Sequence, residues 1–188
     1  MDPYTIQMSA VVCLALFGIL GAFDGIYFHL IKYKLHRHPP AQFEHKLHTF
    51  RGFLFVPIVA LFFYWNVAGP LLWLGIGLLL VDFIAEIIDI AVEKEARSEL
   101  GGISSAEAAI HVTATGFRMA ALAMIMVSKP IAAYDWAINP WALQPHAPPL
   151  QITAGIFLLG IVSSLCIQLA HSIIVDKCFC WRKAGHCT

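Results

Sequence analysis

Four carboxylates recur through one apolar stretch: Asp82, Glu86, Asp89 and Glu93, at i, i+4, i+7 and i+11. At about 100° per residue of helix they fall within an arc of about 60°. Ionised acids facing lipid would cost several kcal/mol each. The stripe is therefore expected to face other helices, with protons or a cation relieving its repulsion. Arg51 and Arg118 are the cations within the chain. Glu107, His111 and Arg118 share a face at i, i+4 and i+11, and Arg118 falls at about the depth of Asp82. This predicts an Asp82–Arg118 pair, leaves Glu86 and Asp89 as candidate ligands, and puts Glu93 in water at the interface.

Further ligand types lie nearby in the pattern. Glu44, His45 and His48 open one helix, Asp24 sits two turns inside the end of another, and Glu107 with His111 opens a third. Gly21 and Gly25 have the spacing that admits a neighbouring helix. His29 points well away from Asp24 on an α-helical wheel and is left out, while His36 and His38 read as solvated loop residues. The expected metal ligands are therefore Asp24, Glu44, His45, His48, Asp82, Glu86, Asp89, Glu107 and His111. Tyr27, Arg51 and Arg118 are expected to orient them by hydrogen bonds.

Imidazole mixed with carboxylate, without thiolate, suits a divalent metal: iron first, with zinc or manganese as alternatives. Carboxylate-bridged dinuclear centres in helical bundles draw Glu from two helices and Glu-x-x-His pairs from two others. Here Glu44 with His48 and Glu107 with His111 are spaced i+4, and the histidine boxes of membrane desaturases are absent. Ser164, Gln168 and His171 share a face whose expected role is interhelical hydrogen bonding. Cys178, Cys180, His186 and Cys187 lie near the C-terminus without four-ligand zinc spacing. With Cys13 and Cys166 isolated, no disulfide is expected.

The elements that must position these residues follow from composition. Of 188 residues 59% are hydrophobic and 13% charged, with a mean hydropathy of +0.73. A soluble domain carries about 25% charged residues. The fold class is all-α, a polytopic membrane bundle, and the zero net charge excludes a nucleic-acid partner. Crossing about 30 Å of hydrocarbon takes about 20 residues of helix, and residues 5–32, 42–67, 71–92, 104–127 and 151–175 qualify. The first lacks the basic start of a cleaved signal peptide. Nine of the twelve basic residues lie within 32–46, 94–97 and 177–183, which predicts an N-out, C-in orientation. Residues 1–176 form the transmembrane domain and 177–188 a cytoplasmic tail.

Gly69-Pro70 predicts a tight turn, and the Pro-rich 128–149 loop with Trp136 and Trp141 an aromatic belt at the outer interface. Gly101-Gly102 followed by Ser104 and Glu107 predicts a helix stop and a new helix cap. In this arrangement the candidate ligands converge between the cytoplasmic interface and mid-bilayer. The function expected is an integral-membrane metalloprotein with a mono- or dinuclear site, a di-iron-type oxidoreductase or metal hydrolase acting on a lipid-soluble substrate in a bacterial inner membrane. Two alternatives differ in class: a proton or divalent-cation transporter using the α-helical carboxylate stripe, in which a homo-oligomer completes the path, and a non-enzymatic subunit or assembly factor of a membrane complex.

Overall fold

Each of the five apolar runs is a helix in the computed structural model, which describes residues 2–35, 41–96 and 101–183 and, for residues 94–96 and 171–183, the backbone alone. All five are long and apolar enough to cross a membrane, and there is no strand among the described residues. Helix α1, Pro3–Phe23, starts where Asp2 accepts the Thr5 N–H at 3.4 Å and Pro3 presets the first helical φ. It runs without a break into a π-helical segment, Asp24–Lys32, which closes with Tyr33 N–H donating to the Phe28 carbonyl five residues back. Helix α2, Gln42–Val59, contains Pro57, whose missing N–H breaks the regular ladder. The next turn, Ala60–Tyr64, is again π-helical.

Helix α3, Gly69–Ala96, begins on Gly69 at φ +52°, where a Cβ would stand 2.6 Å from the Ile138 carbonyl oxygen. Only glycine fits that turn. Helix α4, Ser105–Ser128, follows Gly101 and Gly102, both at positive φ, and Ser104 Oγ accepts the Glu107 N–H at 3.3 Å as the cap pattern predicts. Helix α5, Pro148–Lys183, continues well beyond residue 176, so the segment expected as a separate tail is helical as far as Lys183. His36, His38, His186 and Cys187 lie outside the described residues, as do the side chains of His171, Cys178 and Cys180. Cys13 and Cys166 are free thiols.

Packing follows the order α3, α2, α5, α1, α4. The two helices at the ends of that arc, α3 and α4, nowhere bring their Cα atoms within 8 Å of one another among the described residues. Their seam leaves a groove of about 290 Å³ lined by apolar side chains such as Leu79, Phe83, Met119 and Leu122, with Asp82 and Arg118 at its polar edge. The Gly21/Gly25 pair is a correction: nothing lies within 4 Å of a Cβ built at either. Close approaches occur elsewhere, at Gly18, where an added Cβ would meet Phe157 at 2.8 Å, and at Gly52 and Gly75, where it would meet Leu165 and Phe62, each at 2.7 Å.

Burial is inverted relative to a water-soluble protein. Glu44 and Glu107 are fully buried, whereas Val112 is 74% exposed and Leu159 71%. Charged residues are rarely buried unless paired, and an apolar exterior of this extent is suited to lipid. The apolar core, with Leu14, Ile58, Phe62, Leu72, Ile125 and Leu150, occupies one end of the bundle under the loop that follows α4.

That loop is knitted to the bundle. Lys129 Nζ donates to Asn66 Oδ1 at 2.6 Å and to the Val67 carbonyl at 2.9 Å, Ala68 N–H donates to the Pro140 carbonyl, and Trp136 and Trp141 remain exposed. Burial pushes the Lys129 ammonium down to about 8. His146, 3% exposed, sits 3.0 Å through Nε2 from the Phe62 carbonyl, and burial, helped by Lys129, pushes it down to about 4. It is therefore neutral at pH 7 and donates Nε2–H. As pH falls from 6.5 toward 4 the unfolded chain takes up a proton that folded His146 refuses, so stability falls across that window by on the order of 3 kcal/mol. His146→Gln should flatten this acid slope in thermal unfolding of the detergent-solubilised protein. An unchanged slope would refute the assignment.

Candidate metal centre

Two groups of ligand-type side chains form at the end of the bundle away from that loop. In the first, Asp24, His29, Glu107 and His111 each bring one ligand atom to within 4.8 Å of the others; in the second, His29, Glu44 and His48 do the same. His29 belongs to both. The π-helical segment explains why. In an α-helix residues five apart lie about 140° apart around the axis, but a π turn closes at i+5. Asp24 and His29 are thereby stacked on one face, with His29 Nε2 3.4 Å from Asp24 Oδ2. This corrects the expectation that His29 points away.

From α4, His111 Nε2 meets the same Asp24 Oδ2 at 2.9 Å. The edge of a tetrahedron of ligands about 2.0–2.1 Å from a metal is about 3.3 Å, so these separations match a ligand shell as well as a hydrogen bond. Glu107, fully buried, opens α4 one turn earlier. Asp24 Oδ1 is buried and has no hydrogen-bond partner. The site thus holds two carboxylates and two imidazoles contributed by the first and fourth spans, a donor set suited to iron, manganese or zinc.

On α2, Glu44 and His48 are one turn apart, with His48 Nε2 3.7 Å from Glu44 Oε1. The His29 and His48 rings lie 4.7 Å apart between centroids, and those of His29 and His111 6.1 Å. His45 is buried but lies outside both groups. The neighbouring Thr49 hydroxyl stands 2.9 Å from the His45 carbonyl and 2.9 Å from Gln168 Oε1, which gives Gln168 the interhelical bond expected of the α5 face, while Gln168 donates to Ser164 Oγ within its own helix. Tyr27 is 43% exposed and stacks on Phe23 at 5.2 Å.

The α3 carboxylates are placed differently from the expectation. Arg118 holds Asp82 Oδ2 at 2.8 Å and also pairs with Glu86 Oε2. Arg51 reaches Asp82 Oδ1 at 3.1 Å, Glu86 Oε1 at 3.3 Å and Asp89 Oδ2 at 3.4 Å. Thr115 Oγ1 donates to Glu86 Oε1 at 3.0 Å. The Asp82–Arg118 pair is present, but Glu86 and Asp89 do not lack a cation: two guanidinium forks serve three acids. Asp89 Oδ2 also lies 3.4 Å from His48 Nδ1, so it borders the metal-type groups through His48. Glu93 is buried at 6% exposure rather than solvated. Arg51 and Arg118 pair with the α3 acids directly.

Removing one partner of a buried ion pair costs about 3–5 kcal/mol, because the remaining charge is stranded. Arg118→Met should lower stability by about that amount in detergent unfolding, and Arg118→Lys, which keeps the charge and loses the fork, should recover part of it. An unfolding midpoint unchanged in Arg118→Met would refute the assignment. No protein-family model, curated protein or solved structure matches the chain.

Proposed function

We propose that this is an integral-membrane metalloprotein whose Asp24, His29, Glu107 and His111 hold a divalent transition metal, iron foremost, and that it is an oxidoreductase acting on a lipid-soluble substrate. One observation carries the reading. Four ligand-type side chains from two different spans meet within 4.8 Å, inside a bundle whose exterior is apolar. The first connection, the third connection and the C-terminus carry most of the basic residues, which supports an N-out, C-in orientation and a site near the cytoplasmic face. Iron bound there would supply oxygen-dependent oxidation.

The chain's own residues set the conditions. Asp24 and Glu107 supply negative charge matched to a divalent cation, and His29 and His111 supply neutral donors. The seam between α3 and α4 supports lateral access by an apolar molecule, because it is open between backbones and lined by Leu, Phe and Met side chains. Arg118, at its edge, is seven residues from His111, about 10 Å along α4. Ion transport along the α3 stripe draws no support from the geometry, since Arg51 and Arg118 are engaged with Asp82, Glu86 and Asp89.

Detergent-purified protein reconstituted anaerobically with Fe(II) should retain at least one ion per chain. His29→Ala and His111→Ala should each weaken retention by about 100-fold or more, beyond what loss of an orienting partner costs. A wild-type protein that retains no iron, manganese or zinc, or variants that retain as much as wild type, would overturn the reading.

A further inference from the structure

We infer that the second group, His29, Glu44 and His48, is a distinct metal subsite, and that the centre binds two divalent ions side by side with His29 at their junction. The inference rests on the metalloprotein reading above and deepens it. It starts from His48, whose two ring nitrogens have different surroundings. Nδ1 stands 3.4 Å from Asp89 Oδ2, itself tied to Arg51, so the ring proton belongs on Nδ1. The lone pair of neutral His48 is then on Nε2, which is buried, has no hydrogen-bond partner, and faces Glu44 Oε1 at 3.7 Å.

A lone pair directed at a carboxylate oxygen is repulsive unless something positive lies between them. A histidine that gives its other N–H to a carboxylate is the arrangement found behind metal-ligating imidazoles, where the acid fixes the tautomer and raises the donor strength of the ring. Asp89 fills that position here and ties it to the arginine network. His29 adds a third donor within 4.8 Å of the other two; a neutral imidazole has one lone pair, so it would serve both ions only as an imidazolate, its ring proton released to solvent on metal binding.

The first group supplies an independent indication. Both His29 Nε2 and His111 Nε2 converge on one oxygen of Asp24, Oδ2, while Oδ1 is buried with no hydrogen-bond partner. Each carboxylate oxygen has two lone pairs, so Oδ2 takes both contacts and Oδ1 keeps its whole acceptor capacity. The unused oxygen gives Asp24 the means to bridge neighbouring ions, as carboxylates do in dinuclear helical-bundle centres. Each group thus contributes a buried atom with no hydrogen-bond partner, Asp24 Oδ1 in one and His48 Nε2 in the other, and the shared His29 makes the two groups adjacent.

Mn(II) alone, titrated into the full-length detergent-solubilised protein, is the probe. Wild type should bind two ions per chain, and its electron paramagnetic resonance spectrum should show the exchange-coupled signal of a Mn(II) pair. Glu44→Gln and His48→Gln should each retain one ion and give the six-line spectrum of isolated Mn(II). Wild type that binds a single ion with the six-line spectrum overturns the second subsite and leaves the metalloprotein reading standing. Two ions retained by both variants also overturn it, as does wild type that binds no Mn(II), whereas the metalloprotein reading falls only if iron and zinc are not retained either. Since the wild-type stoichiometry and spectrum decide by themselves, variants that fail to fold leave the inference open to refutation.

Discussion

The bundle depends on two arginines shared among three acids of one helix. Helices α3 and α4 make no close backbone approach, so the attraction that closes the arc across this seam runs through Arg118 to Asp82 and Glu86, with Thr115 adding a hydrogen bond to Glu86. Arg51 does the same between α2 and α3. In lipid there is no hydrophobic force drawing one helix onto another, because the tails are as apolar as leucine, and association falls to packing and polar contacts. Where packing is good, as at the end lined by Leu14, Phe62 and Ile125, the helices need no charges. Where α3 and α4 stand apart, ion pairs substitute for it.

The same network reaches the ligand groups at one point. Arg51 holds Asp89, and Asp89 lies against His48, so the orientation of a residue bordering His29 and Glu44 is coupled to the ion pairs that hold α2 on α3. The other half of the centre depends on backbone rather than charge. Nine residues of π-helix, Asp24–Lys32, bring Asp24 and His29 into register and present them to α4. A π-helix is rare over any length and tends to occur at functional sites. Its loss to a regular α-helix would turn His29 away from Asp24 and separate both ligand groups.

Much of the fold was legible because bilayer thickness is a stringent ruler. Five apolar runs give five helices, Gly69 and Gly101–Gly102 take the backbone conformations their turns require, and Ser104 caps α4 as its spacing predicts. The site was legible in part. Depth and helical phase bring Asp24, Glu44, His48, Glu107 and His111 to one end, but phase computed at 100° per residue discards His29, because no residue pattern in Asp24–Lys32 announces that the period changes there. The division of arginines among Asp82, Glu86 and Asp89 was also hidden. It depends on the helix order α3, α2, α5, α1, α4, and helical wheels carry no information about which helices are neighbours. The Gly21/Gly25 spacing misled for the same reason: it marks where a helix can approach and does not say that one does.

The two charged clusters solve one problem in chemically different ways. A carboxylate buried among helices must be neutralised, and arginine does this completely: its guanidinium is always charged, offers only donors, and has no lone pair to give. The acids it serves, Asp82 and Glu86, are held in a closed arrangement that leaves no donor set for a metal. Histidine is a weaker neutraliser, half-committed at physiological pH, and each neutral ring keeps one nitrogen able to ligate. Asp24 is met by two imidazoles, and Glu44 has an imidazole one turn away. The choice between arginine and histidine as the companion of a buried acid therefore separates, along one bundle, the ion pairs that hold helices together from the side chains able to bind an ion.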